Sequence, residues 1–314
     1  MTVTTNQIEI SELKNNFNIL LKNLETALDG KLRTNIYNTK MGQYKKKLNN
    51  LNESDDEFIN LIPIINKYLS LNHLFSETSK IEYNKDDLRK IIEGQCSTND
   101  SNDKYNDTFF EISMAIRFSL ASKEPVSINL KDICDVVINK TIAIECKYVH
   151  SGKRLRDNIK KAIKQINTRV DNKEAKVGIV ALDLSHIYEY EKIQKFIEYV
   201  FSLFLNNYKK INDDEKLLES ILINNHFKSI IMTYVTHELE ISLYKNISKN
   251  ILEQMMNNQI VAIMYQMNYS HFFEYNEEVI SVPFRAMTYI INPKLMEEKK
   301  INVKKILHSL QTGI

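Results

Sequence analysis

The stretch Lys131–Lys147, KDICDVVINKTIAIECK, decides how this chain is read. It holds two apolar runs rich in β-branched residues, Ile133–Ile138 and Thr141–Tyr148, joined through Asn139-Lys140, and such runs predict two strands of a hairpin. Asp135 opens the first strand, and Glu145 and Lys147 stand two apart near the end of the second. Because side chains alternate along a strand, Glu145 and Lys147 share one face and Cys146 takes the other. Asp135 joins them only if it pairs opposite Glu145. That requires a connection of odd length, such as Asn139-Lys140-Thr141, or a bulge; a two-residue Asn-Lys turn would send Asp135 to the wrong face. Opposed residues have Cβ atoms about 5 Å apart, so two carboxylates placed this way can grip one divalent cation. Hard oxygen ligands select Mg2+ or Mn2+.

Outward from the hairpin, Thr108–Leu120 predicts a preceding helix, with Glu111 as a possible additional acid, and Leu155–Val170 a following one with Ile159, Ala162, Ile163 and Ile166 on one face. Val177–Leu184 reads as a buried strand. Further on, the pattern predicts a helix over Glu189–Tyr208, a strand over Ile230–Val235, a helix over Ile241–Met256, strands over Ile260–Met267 and Ala286–Ile291, and a closing helix over Lys299–Leu310. Toward the N-terminus the periods are all helical: Ile8–Leu28, ended by Gly30, then Asp56–Leu71 and Asp86–Ile92, with a basic stretch at Lys40–Lys47. The polar run Gly94–Asp107, GQCSTNDSNDKYND, predicts a linker. The expected organisation is therefore an all-helical region over residues 1–100 and an α/β domain over 105–314, with a mixed central sheet flanked by helices.

The composition narrows the function classes. A net charge of +2 does not by itself mark a nucleic-acid binder, so any basic surface must be local. Three cysteines with no CxxC pair argue against a zinc ribbon and a secreted disulfide framework. With no leader pattern and no apolar run near 20 residues, the expectation is a cytoplasmic protein without membrane contact. No P-loop and no GxGxxG occurs, so no nucleotide cofactor is expected. The local basicity is found directly after the hairpin: HSGKRLRDNIKKAIKQINTR carries Lys153, Arg154, Arg156, Lys160, Lys161, Lys164 and Arg169 against Asp157 alone. Such a run suits backbone phosphates. A cation held by Asp135 and Glu145 would bind a phosphate oxygen and activate water, with Lys147 orienting that water or stabilising the transition state.

This arrangement resembles the PD-(D/E)xK, or restriction-endonuclease-like, nuclease superfamily. Glu111, Asp135, Glu145-Cys146-Lys147 and the helix around Gln165 stand in the order of that family's αβββαβ core, over roughly residues 107–184. The resemblance implies a Mg2+-dependent deoxyribonuclease leaving 5′-phosphate and 3′-hydroxyl ends, with Asp135, Glu145, Glu111 and the backbone carbonyl of Cys146 as metal ligands and Lys147 as the catalytic cation. It also implies a place in restriction or antiviral defence, as a homodimer or as the partner subunit of a defence system. Two features depart from the family pattern. Cys134 stands where the family name has proline, and Arg169 follows Gln165 by four where the RecB-like branch has tyrosine. Glu174-Ala175-Lys176 and Glu297-Glu298-Lys299 repeat the E-x-K string, but in polar surroundings; Glu145 interrupts an apolar strand, where a charge is costly unless paired or metal-bound. The competing readings are a solvated ion pair at a strand end, or a nuclease fold that binds nucleic acid or a partner protein without cleaving.

Overall fold

The computed structural model describes all residues except 1–9, 30–31, 33–34, 51–55, 95, 97–104, 122–127, 130–134, 212–215, 258, 277 and 313–314. The expected helix stop at Gly30, Cys134, the start of the first hairpin strand and most of the expected linker lie outside the described residues. The chain is α/β, with a mixed sheet covered by helices on both faces.

The sheet contains β1 (Ile81–Glu82), β2 (Ile128–Asn129), β3 (Val136–Ile138), β4 (Ile142–Tyr148), β5 (Val177–Asp183), β6 (Ile260–Tyr275) and β7 (Glu278–Ile291), side by side in that order. β2, β3 and β4 are antiparallel neighbours; β4, β5 and β6 are parallel; β7 returns antiparallel along β6. With α5 (Asn106–Ala121) ahead of β2 and α6 (Leu155–Asp171) between β4 and β5, residues 106–183 run helix, three strands, helix, strand.

Strand alternation divides the core in two. Ile144, Cys146, Ile179, Ala181, Ala262 and Met264 face a cluster shared with α1 (Ile10–Ala27), α5 and α11 (Glu297–Thr312). Val180, Leu182, Ile263 and Tyr265 face the other cluster, with α6, α7 (Tyr190–Ile211), α8 (Leu217–Ile223), α9 (Asn225–Asn246) and α10 (Lys249–Asn257). The N-terminal helices α1, α2 (Lys40–Asn50), α3 (Asp56–Leu69) and α4 (Lys85–Ile92) thus pack into the same core as one face of the sheet. No described helix is long and apolar enough to cross a membrane.

Three sequence expectations are corrected. The N-terminal region is not all-helical, because Ile81 and Glu82 pair in parallel with Ile128 and Asn129; two-residue strands leave no periodicity to read. The strand expected at Ile230–Val235 lies inside α9. There Phe227, Ile231, Met232, Val235, Leu239 and Leu243 are buried at helical spacing, and Asn224 caps the start by accepting from the N–H groups of His226 and Phe227 at 2.8 and 3.1 Å. Packing and the cap override the β propensity of the run. The last two strands are longer than their apolar segments, since residues 268–275 of β6 pair with β7 alone; Pro283 is tolerated because β7 is an edge strand.

Gly178 sets how closely α6 lies on β5. A Cβ there would fall 2.1 Å from Ile166 Cγ2, on a branched, buried side chain that cannot swing aside. Gly178→Ala is therefore expected to cost about 1–3 kcal/mol through overpacking, read as a lower denaturation midpoint, and Ile166→Ala in the same chain to recover part of the loss.

Candidate functional site

The connection between β3 and β4 has the odd length the site requires. Ile138 pairs with Ile142, Val137 with Ala143 and Val136 with Ile144, leaving Asn139, Lys140 and Thr141 between the strands. Asn139 and Lys140 adopt positive φ (48° and 52°), and the Thr141 N–H closes the turn on the Ile138 carbonyl at 2.8 Å. The Thr141 carbonyl then turns away to accept from Lys176 and Val177 at 2.9 and 3.1 Å. Continued by one residue, this register places Asp135 opposite Glu145.

The side chains meet there. Asp135 Oδ2 accepts from the Cys146 N–H at 2.6 Å, so its carboxylate takes over the edge of β4 where β3 has ended. Lys147 Nζ donates to Glu145 Oε1 at 2.6 Å and lies 3.8 Å from Asp135 Oδ2. Glu145 is fully buried, and among the described residues its Oε2 has no hydrogen-bond partner unless Asp135 carries a proton to share with it. Burial and then the charge of Glu145 push the Asp135 carboxyl up to about 7, against the opposing pull of Lys147. Burial opposes the Lys147 ammonium, but Asp135, Glu145 and the hydrogen bond to Glu145 outweigh it and raise its pKa. Glu111, on α5, is pushed up to about 8 by burial and then by Asp135, with Asp87 and Asp107 adding to it. The Cys146 thiol is pushed well up by burial and lies in the opposite core, which leaves only its backbone for the site. Its carbonyl leaves β4 on the same side as the N–H that Asp135 accepts, as in any extended residue.

These groups can take a hard cation. Among the described residues no three His, Cys, Asp or Glu side chains already stand at metal-ligand spacing. Yet a buried carboxylate oxygen with no donor among the described residues, beside a second carboxylate whose pKa burial and then the first carboxylate raise, calls for a shared proton or a shared cation. Oxygen donors of this kind fit Mg2+ or Mn2+.

Six basic side chains lie on the turn at Gly152–Arg154 and on α6: Lys153, Arg154, Arg156, Lys160, Lys161 and Lys164, all exposed. They begin six residues beyond Lys147, with Arg156 also donating to the Lys245 carbonyl at 3.0 Å. Arg169 does not extend this face, since it is buried and pairs with Glu174 at 3.3 Å.

No family model, curated protein or solved structure matches this chain.

Two features escaped the sequence reading. Asp107, in the first turn of α5, accepts from the Tyr148 N–H at 3.0 Å, two residues beyond the bond made by Asp135. Arg117, fully buried on α5, donates to Gln266 Oε1 at 2.6 Å, and Gln266 donates to Asp183 Oδ2 at 2.5 Å. Burial, reinforced by Arg285, lowers the Arg117 pKa to about 9. This network occupies Asp183 on the face opposite Glu145 and keeps it out of the carboxylate cluster. An arginine within the apolar spacing of Thr108–Leu120 was the one signal the sequence held.

Proposed function

We propose that this chain is a divalent-cation-dependent nuclease that hydrolyses DNA phosphodiester bonds, built on a restriction-endonuclease-like core. The observation that carries the reading is Glu145, a fully buried carboxylate with one oxygen held by Lys147 and the other without a donor among the described residues, in reach of the charge of Asp135. A strand-end ion pair in solvent has no reason to bury its acid completely. The run of helix, three strands, helix and strand over residues 106–183 supports the core.

In this reading Asp135 and Glu145 hold the cation, with Glu111 and the Cys146 carbonyl as further oxygen donors. The cation, when bound, supplies Lewis-acid stabilisation of the phosphate and a more acidic water. Lys147, protonated and fixed by Glu145, places a positive charge where the phosphorane oxygens develop theirs. The exposed basic residues from Lys153 to Lys164 neutralise neighbouring backbone phosphates and hold the duplex over the strand ends.

The test is cleavage of plasmid and linear DNA with Mg2+, with Mn2+ and with EDTA. Metal-dependent nicking by the wild type, lost in Glu145→Ala and Lys147→Ala while DNA binding persists, is the expected result. Binding without cleavage under every metal condition would leave a nucleic-acid-binding module. Replacing Lys160, Lys161 and Lys164 by alanine is expected to weaken binding of all sequences alike and to reduce the salt slope of log K by roughly 0.9 for each phosphate no longer neutralised.

A further inference from the structure

The carboxylates and Lys147 leave one chemical task unassigned, which is to accept the proton of the attacking water. Asp135 and Glu145 are committed as cation ligands in the reading above. Lys147 Nζ donates to Glu145 Oε1 at 2.6 Å and is assigned above to the charge developing on the phosphate. A base must therefore come from another group beside the cluster.

The edge of β4 shows where. Asp135 and Asp107 accept from the N–H groups of Cys146 and Tyr148, two residues apart on the same edge, which spaces the two carboxylates by about 6.6 Å along the strand. With Oδ1 fixed by that bond, Asp107 presents Oδ2 to His150 Nε2 at 3.6 Å. The imidazole is held on two further sides, by the Tyr148 ring at 5.1 Å and the His186 ring at 5.6 Å between centroids. An imidazole that carries its proton on the Nε2 facing that carboxylate keeps Nδ1 as an acceptor. Among the described residues nothing hydrogen-bonds Nδ1, and the side chain is 45% exposed, just beyond the end of β4.

We propose that His150, oriented by Asp107, takes the proton from the water that attacks the scissile phosphate. The inference rests on the nuclease reading of the site. As the water oxygen bonds to phosphorus and the bond from phosphorus to the 3′ oxygen breaks, the water proton passes to Nδ1. Asp107 stabilises the resulting imidazolium, the leaving oxygen takes a proton from solvent, and the imidazolium returns its own to solvent. Asp107 is a positioning residue. Imidazole is the side chain most often used for such transfer, with contributions of about 10²–10⁴-fold.

The experiment is single-turnover cleavage of DNA by the full chain with Mg2+. His150→Ala is expected to lose about 10²-fold in rate with DNA affinity unchanged, and free imidazole to restore at least about tenfold. Imidazole should change neither the wild type nor Glu145→Ala. Asp107→Asn keeps an acceptor for the Tyr148 N–H and is expected to lose about tenfold, without rescue by imidazole. Undiminished cleavage by His150→Ala, or a loss that imidazole does not relieve, overturns the proposal while leaving the nuclease reading intact. A wild type that does not cleave, or that cleaves independently of Glu145, overturns the nuclease reading and this inference with it.

Discussion

Replacing Glu145 by glutamine is expected to abolish cleavage, by about 10³-fold or more, and at the same time to make the metal-free protein more stable near neutral pH. The two effects have one origin. Glu145 is fully buried, its Oε2 has no donor among the described residues, and its charge adds to burial in raising the Asp135 carboxyl. Glutamine keeps an oxygen for Lys147 and supplies an N–H₂ that can donate to Asp135, so the repulsion between two acids is replaced by a hydrogen bond. The same substitution removes the charge that would hold a cation. If Glu145 were merely the partner of Lys147 at 2.6 Å, removing its charge would instead destabilise, because breaking a buried pair leaves an uncompensated ion. Thermal unfolding of both proteins in EDTA decides the sign: a rise for Glu145→Gln supports a site strained for metal binding, and a fall assigns Glu145 a structural role. Such a gain in stability on loss of activity is common where a site holds like charges together.

The pairing of Asp135 with Glu145 was legible because it depends on parity alone. Strand alternation puts Glu145 and Lys147 together, and the only open question was whether the connection was odd. Its answer lay in backbone conformation: Asn139 and Lys140 both take positive φ, and the Thr141 carbonyl is drawn toward Lys176 and Val177. Asparagine hints at the first of these, but nothing local announces a carbonyl attracted by a strand some 35 residues later. Asp107 was illegible for the same reason, since its role is to satisfy a backbone N–H on a strand 41 residues away. Arg117 and Gln266 meet across 149 residues, and each alone looks like a polar interruption of an apolar element. The strand expected at Ile230–Val235 shows the opposite failure: a local β propensity was clear and tertiary packing on α9 overruled it.

The metal-free protein is expected to lose stability as pH rises from about 4 to about 8, and Mg2+ to restore it at the upper end. Asp135 and Glu111 keep their protons up to about 7 and about 8, against ordinary values of 3.8 and 4.5. Between those limits the folded chain binds more protons than the unfolded one. Unfolding then releases protons, so each step up in pH favours the unfolded state. The contribution is fully present below about pH 4 and is gone once both folded groups have titrated. At about 1.4 kcal/mol for each tenfold gain in proton affinity on folding, and discounted because the groups titrate together, the total is on the order of 2–4 kcal/mol. A divalent cation replaces the missing protons, so its affinity should increase over the same interval and its binding should release protons. Melting curves at about pH 5.5 and about pH 8.5, with EDTA and with Mg2+, test this directly. The expected pattern is a lower midpoint at the higher pH in EDTA, removed by Mg2+, with Glu111→Gln flattening the pH dependence and Asp135→Asn weakening the response to metal. A midpoint indifferent to both pH and Mg2+ would mean that the carboxylates are solvated and ordinary, and the argument from the buried Glu145 oxygen would fail with them.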